Sequence, residues 1–139
     1  MPVEESKEYL KAIHKNNADA IFLISPNTTK ERIKKIVKAG SGFLYLVSIY
    51  GTTGKQQEIQ QYTIDAIKNT KKIVNRKIPL GVGFGVSNQG QARFIIKCGA
   101  DAVIVGSAFL RLIESLPQKK IESGVTSFTR NLKMATKPQ

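Results

Sequence analysis

Four short apolar segments interrupt an otherwise polar chain: Ala20 to Ile24, Phe43 to Val47, Pro79 to Phe84, and Ala102 to Val105. Each is a continuous apolar run, not an alternation of apolar and polar residues. That pattern marks parallel strands covered on both faces. Between the runs, apolar residues recur at helical spacing. Helices are expected over Glu4 to Lys15 and over Thr29 to Lys38, the latter with Ile33, Ile36 and Val37 on one face and Gly40 as its C-cap. Another spans Thr63 to Val74, with Ile64, Ile67, Ile73 and Val74 inward. Ser87 is the natural N-cap of a helix over Gln89 to Cys98 that stops at Gly99. A short helix runs from Ser107 to about Glu114. Pro117 opens a last one with Ile121, Val125, Phe128 and Leu132 on one side.

Regular alternation of strand and helix is the signature of an α/β fold with right-handed crossovers. The whole chain, residues 1–139, reads as one such domain. Asn17-Ala18-Asp19-Ala20-Ile21 is echoed by Gly99-Ala100-Asp101-Ala102-Val103, which suggests a repeated βα unit. Four strands do not close a (β/α)8 barrel. Part of a barrel and an open flavodoxin-like sheet both satisfy the pattern.

Charge adds one constraint. Lys and Arg number 22 against 10 Asp and Glu, a net charge of +12. The lysines are spread over the polar sides of the helical segments, so a solvated surface that also attracts an anionic ligand is expected. No basic block with interleaved aromatics appears, which argues against a nucleic-acid groove. No apolar run approaches the ~20 residues of a membrane span. The start, Met1-Pro2-Val3-Glu4-Glu5, carries no secretory pattern. The single cysteine, Cys98, fits a reducing, cytoplasmic setting.

The chemistry concentrates in glycines. Gly51-Thr52-Thr53-Gly54, Gly83-Phe84-Gly85-Val86-Ser87 and Gly106-Ser107-Ala108 follow three successive strands at their C-terminal ends. A phosphate monoester needs several donors converging on a small volume. Main-chain amides supply them where glycine lets the backbone approach. A helix N-terminus adds free amides and a favourable dipole. Ser107 can add its hydroxyl, and its short helix has the place of the phosphate helix of (β/α)8 barrels. The polar connection from Ser48 to about Tyr62 has the length of a lid or a surface loop. His14 lies in a polar helical stretch and reads as solvated; Cys98 reads as a packed small residue. No metal-ligand spacing is visible. None of the ten acidic residues falls at the C-terminal end of a strand.

These motifs carry a family resemblance along essentially the whole chain. Tyr45-Leu46-Val47-Ser48-Ile49-Tyr50-Gly51-Thr52-Thr53-Gly54 resembles strand six and loop six of tryptophan synthase α subunits. Gly81 to Ser87 is similar to strand seven of that family, and Gly99 to Ala108 to strand eight and its phosphate loop. Pro2 to Glu5 and Ser25 to Thr29 resemble the segments after strands four and five. The resemblance implies the C-terminal half of a TIM barrel, with helix four and strands five to eight. It also implies cleavage of indole-3-glycerol phosphate to indole and glyceraldehyde 3-phosphate, with no cofactor in this subunit. A β subunit carrying pyridoxal phosphate is the implied partner. By position, Gly54, Gly85, Gly106 and Ser107 hold the phosphate, Tyr45 lines the substrate site, and Phe84 packs near the glycerol phosphate. Thr53 closes loop six and supports a catalytic carboxylate. The catalytic Glu and Asp of the family belong to strand two and the loop after it, and have no counterpart here. Other phosphate-binding barrels of amino-acid biosynthesis and a non-catalytic phosphate-ligand half barrel are the alternatives. With open edges on its first and last strands, the chain is expected to self-associate, pair with a complementary half, or fold marginally.

Overall fold

The computed structural model describes residues 2–47, 61–75, 77–83 and 85–137. Four parallel strands, β1 (Leu23–Ile24), β2 (Leu44–Val47), β3 (Leu80–Gly83) and β4 (Ala102–Ile104), form one sheet in the order β1-β2-β3-β4. The helices are α1 (Lys7–Lys15), α2 (Lys30–Ala39), α3 (Gln61–Val74), α4 (Gln89–Lys97), α5 (Ser107–Ser115) and α6 (Ile121–Ala135). Each strand of the first three leads through a helix to its parallel neighbour, so every connection is a βαβ crossover.

Local chemistry places the helix ends. Thr29 caps α2, its side chain accepting from the Arg32 amide. Asn17 and Asn75, at φ 51° and 42°, take the left-handed conformation that ends α1 and α3, and Gly99 does so at 110° after α4. The first helical segment is broken: a 3-10 turn over Val3–Glu5 precedes α1, with buried Ser6 donating its hydroxyl to the Val3 carbonyl at 2.6 Å. The last is divided too, since a 3-10 turn over Gln118–Lys120 comes between Pro117 and α6.

Register assigns the two faces. Leu23, Tyr45, Gly81 and Ala102 are partners across the sheet, as are Ile24, Leu46, Val82 and Val103 one residue later. Partnered residues share a face. The second set looks towards the helices. Ile24, Leu46 and Val82 are buried there with Leu44 and Leu80, against Ile33 and Ile36 of α2, Ile67 and Val74 of α3, and Ile95 of α4. Phe109 of α5 meets Phe128 of α6 edge to face, centroids 4.9 Å apart, which ties the last two helices together.

The other face corrects the expectation of strands buried on both sides. Leu23 is 59% exposed and Ile21 40% exposed, and Ala102 is exposed as well. Only one helix layer packs on this sheet, so the opposite side chains meet solvent. The outer strands are also shorter than the apolar runs, because each has a ladder partner on one side only.

Candidate functional site

Strands β2, β3 and β4 all end on the same edge of the sheet, since they are parallel. Gly83 pairs with Ile104, the last residues of β3 and β4. The chain continues two residues from each to Gly85 and Gly106, so these glycines leave adjacent strands side by side. Gly85 has φ +81°, a left-handed turn that an L side chain resists. Gly106 is the N-cap of α5, and a side chain built on it would meet nothing within 4 Å. Its carbonyl accepts from the Phe109 amide at 2.9 Å, which closes the first turn. Ser107 is the exposed first residue of α5, and that helix has no side-chain cap. The start of α5 therefore presents unsatisfied donors to open space on the strand-exit side.

Tyr45 stands on the uncovered face. Its hydroxyl oxygen lies 2.9 Å from where a Cβ on Gly83 would be, and Ile104 occupies the rest of that space. Phe43 and Ile104 cover Gly81 in the same way. The two glycines of β3 thus make room for larger side chains of β2 and β4, and the Tyr45 hydroxyl reaches the exit end of β3 for that reason.

After β3, Asn88 and not Ser87 is the N-cap of α4. The Asn88 Oδ1 accepts from the Gln91 amide at 3.0 Å, and the Gln91 Oε1 accepts in return from the Ser87 amide at 2.8 Å. This reciprocal pair is a capping box displaced by one residue, legible in hindsight from Asn88 and a Gln three positions on. It holds the turn that carries Gly85 onto the sheet edge. Thr53, Gly54 and Phe84 lie outside the described residues, as do residues 48–60 of the Ser48 to Tyr62 connection read as a lid or a surface loop; Gln61 and Tyr62 begin α3.

Among the described residues, Asp19, Asp101, His14 and Cys98 lie elsewhere. Asp101 stands at the opposite end of the sheet, where its carboxylate accepts from the Leu80 amide at 2.7 Å and from the Lys71 Nζ at 2.7 and 2.8 Å. Asp19 packs there against Gly42, whose φ of +69° and close approach both require glycine. Both acids lie at strand starts, and Asp101 holds the start of β3 through the Leu80 amide. His14 is exposed in the last turn of α1. Burial pushes the Cys98 thiol above its usual range, with Lys68 partly offsetting this, so the thiol is a poor nucleophile at neutral pH. Among the described residues, no three His, Cys, Asp or Glu side chains gather as metal ligands. No described helix is long and apolar enough to cross a membrane.

The family model described as tryptophan synthase alpha chain matches residues 1–137. The chain belongs to that family. The tryptophan synthase alpha chain of Thermococcus kodakarensis is 42% identical over 113 residues, which cover 81% of this chain and 44% of that one. The Trichormus variabilis alpha chain is 38% identical over 138 residues, covering 99% of this chain and 51% of that one. Among solved structures, a chain of the tryptophan synthase a2b2 complex of Pyrococcus furiosus superposes with a TM-score of 0.83 at 34% identity. That match takes in 96% of this chain and 52% of the other. A tryptophan synthase chain from M. tuberculosis gives 0.77 at 29% identity, over 98% and 47%. This alpha-chain sequence therefore spans about half the length of the relatives it matches. Its four βα units are a half of their TIM barrel, and the open-sheet alternative falls.

Proposed function

We propose that this alpha-chain segment forms the phosphate grip of an indole-3-glycerol phosphate lyase. The observation that carries the reading is the pairing of the left-handed Gly85 turn with the Gly106–Ser107 start of α5, on adjacent strand ends of the family's barrel. Amides at Ser107 and Ala108 point their dipole at a phosphate, the Ser107 hydroxyl adds a donor, and Gly85 brings backbone close. Tyr45, on the inner face, borders the bound ester. By the resemblance, Gly54 adds to the grip from the connection after β2, Thr53 closes that loop and supports a catalytic carboxylate, and Phe84 packs near the glycerol phosphate.

Retro-aldol cleavage to indole and glyceraldehyde 3-phosphate needs a positioned acid and base. The described acids nearest the sheet, Asp19 and Asp101, lie at strand starts, away from the glycine end. The segment therefore supplies binding and orientation, and the Glu and Asp of the family's second strand and following loop supply proton transfer. No cofactor takes part in this subunit. A β subunit with pyridoxal phosphate is the partner that consumes indole, and the setting is cytoplasmic. A solved relative bears the description of an a2b2 complex, which supports that partner.

Calorimetry with indole-propanol phosphate tests the grip. The chain binds this unreactive ester, and inorganic phosphate competes. Gly106→Asp fits sterically, because nothing lies within 4 Å of the new Cβ. It puts a carboxylate where the phosphate sits, and the affinity falls at least about tenfold through like-charge repulsion. Unchanged binding by this variant overturns the assignment.

A further inference from the structure

The Gly85 turn is held from two sides. Below it, Val86 is 1% exposed and packs into the core with Ala92 and Ile95 of α4. Beside it stands Gln91, a polar side chain that is only 8% exposed. Its Oε1 accepts from the Ser87 amide at 2.8 Å and from the Ser87 hydroxyl at 3.2 Å, while its own amide donates to the Asn88 Oδ1 at 3.0 Å. A main-chain N–H can only donate, so the Gln91 atom facing it is oxygen, and the orientation of that side-chain amide is fixed. Burial strengthens these bonds, because little water competes for them.

Two features go beyond an ordinary helix cap. Ser87 directs both its amide and its hydroxyl towards α4. The serine behind the turn is thus a strut, and exposed Gly85 is the residue that approaches a ligand. The residue closing the box is also uncharged. A capping box takes Glu as readily as Gln, and a carboxylate at a helix N-terminus gains from the dipole. Here the acceptor meets Ser87, two residues on from Gly85 and so within ~7 Å along the backbone. A charge in that place repels an anion at the turn, whereas a neutral amide fixes the same backbone without repulsion.

We propose that Gln91 is a positioning residue of the phosphate grip: it locks the Gly85 turn in the shape that receives the ester and keeps that end free of negative charge. The turn then needs no reordering when ligand arrives, which spares part of the entropy lost on binding. This rests on the phosphate reading above.

Calorimetry of the 139-residue chain with inorganic phosphate and with indole-propanol phosphate tests it, under conditions where urea unfolding shows each variant to be folded. Gln91→Met fills similar space without a strong acceptor. Affinity for both ligands falls about tenfold, and the Ser87 amide loses its protection from hydrogen exchange. Gln91→Glu keeps an acceptor, so the Ser87 amide stays protected. Its phosphate affinity is below that of the parent chain at low salt, by a factor that shrinks towards one at ~1 M salt. The Glu variant probes the same turn with the bond kept, so the test does not depend on the Met variant folding. Gln89→Met, exposed in the same turn of α4, changes neither reading. Unchanged affinity in folded Gln91→Met, a loss that only tracks the unfolded fraction, or a Glu variant that binds like the parent at low salt overturns the inference. A parent chain that binds no phosphate ester sinks the ligand reading as well. A chain that binds it, weakens with Gly106→Asp and ignores Gln91→Met sinks this inference alone.

Discussion

Asp101 shows how much one side chain can do at this fold's floor. Its carboxylate satisfies the amide of fully buried Leu80, the first residue of β3, while also pairing with Lys71. The ion pair is partly exposed and contributes little by itself. The amide is different: without Asp101 it stays buried with no partner. Asp101→Ala is expected to lower stability by about 1–3 kcal/mol, measured by urea unfolding. Asp19 occupies the matching place in the echoed segment but packs on Gly42. Repetition in sequence thus reflects a shared position, while the neighbouring backbone decides what each carboxylate does. The glycines divide likewise. Gly85 and Gly42 are required by backbone conformation, Gly81 and Gly83 by the side chains above them, and Gly106 by neither. Sequence alone ranks all five alike, because conformation and crowding are not written in the residue type.

At the level of elements, helix positions followed the apolar spacing and the caps, with deviations that have local causes. Asn88 outcompeted Ser87 because a side chain three residues before the Gln91 amide can reach it, and Gln91 then turns back to Ser87. Asn88→Ala is expected to cost about 1 kcal/mol, the usual value of an N-cap, measured as a shift of the urea midpoint. The Gly85 turn, directly before this cap, loosens with it. Strand lengths were overestimated at the borders. The apolar run from Ala20 to Ile24 yields a ladder of two residues, since ladder pairing needs a neighbour and β1 has one only. Apolar runs report burial; they do not report how many neighbours a strand finds.

For the molecule as a whole, net charge sets the behaviour. A net charge of +12 gives the chain as a whole a positive potential. Binding of a phosphate ester is therefore expected to weaken as salt shortens the Debye length from ~10 Å at 0.1 M towards ~3 Å at 1 M. Calorimetry at both ionic strengths checks this, and a neutral indole analogue serves as the salt-independent control.

Patterning by itself determined the four parallel strands and the order of the helices, because βαβ units are local in sequence and their periodicities survive without tertiary context; the family came from the resemblance of the Tyr45 to Gly54, Gly81 to Ser87 and Gly99 to Ala108 motifs. The glycine clusters pointed to the strand-exit end for the same reason: each follows its own strand. What the fold decided is everything that depends on non-neighbours. The tertiary contacts placed Tyr45 over Gly83, tied Asp101 to Leu80 and moved the cap to Asn88. They also left one face of the sheet bare, since coverage depends on how many layers assemble around a strand and no single segment encodes that number.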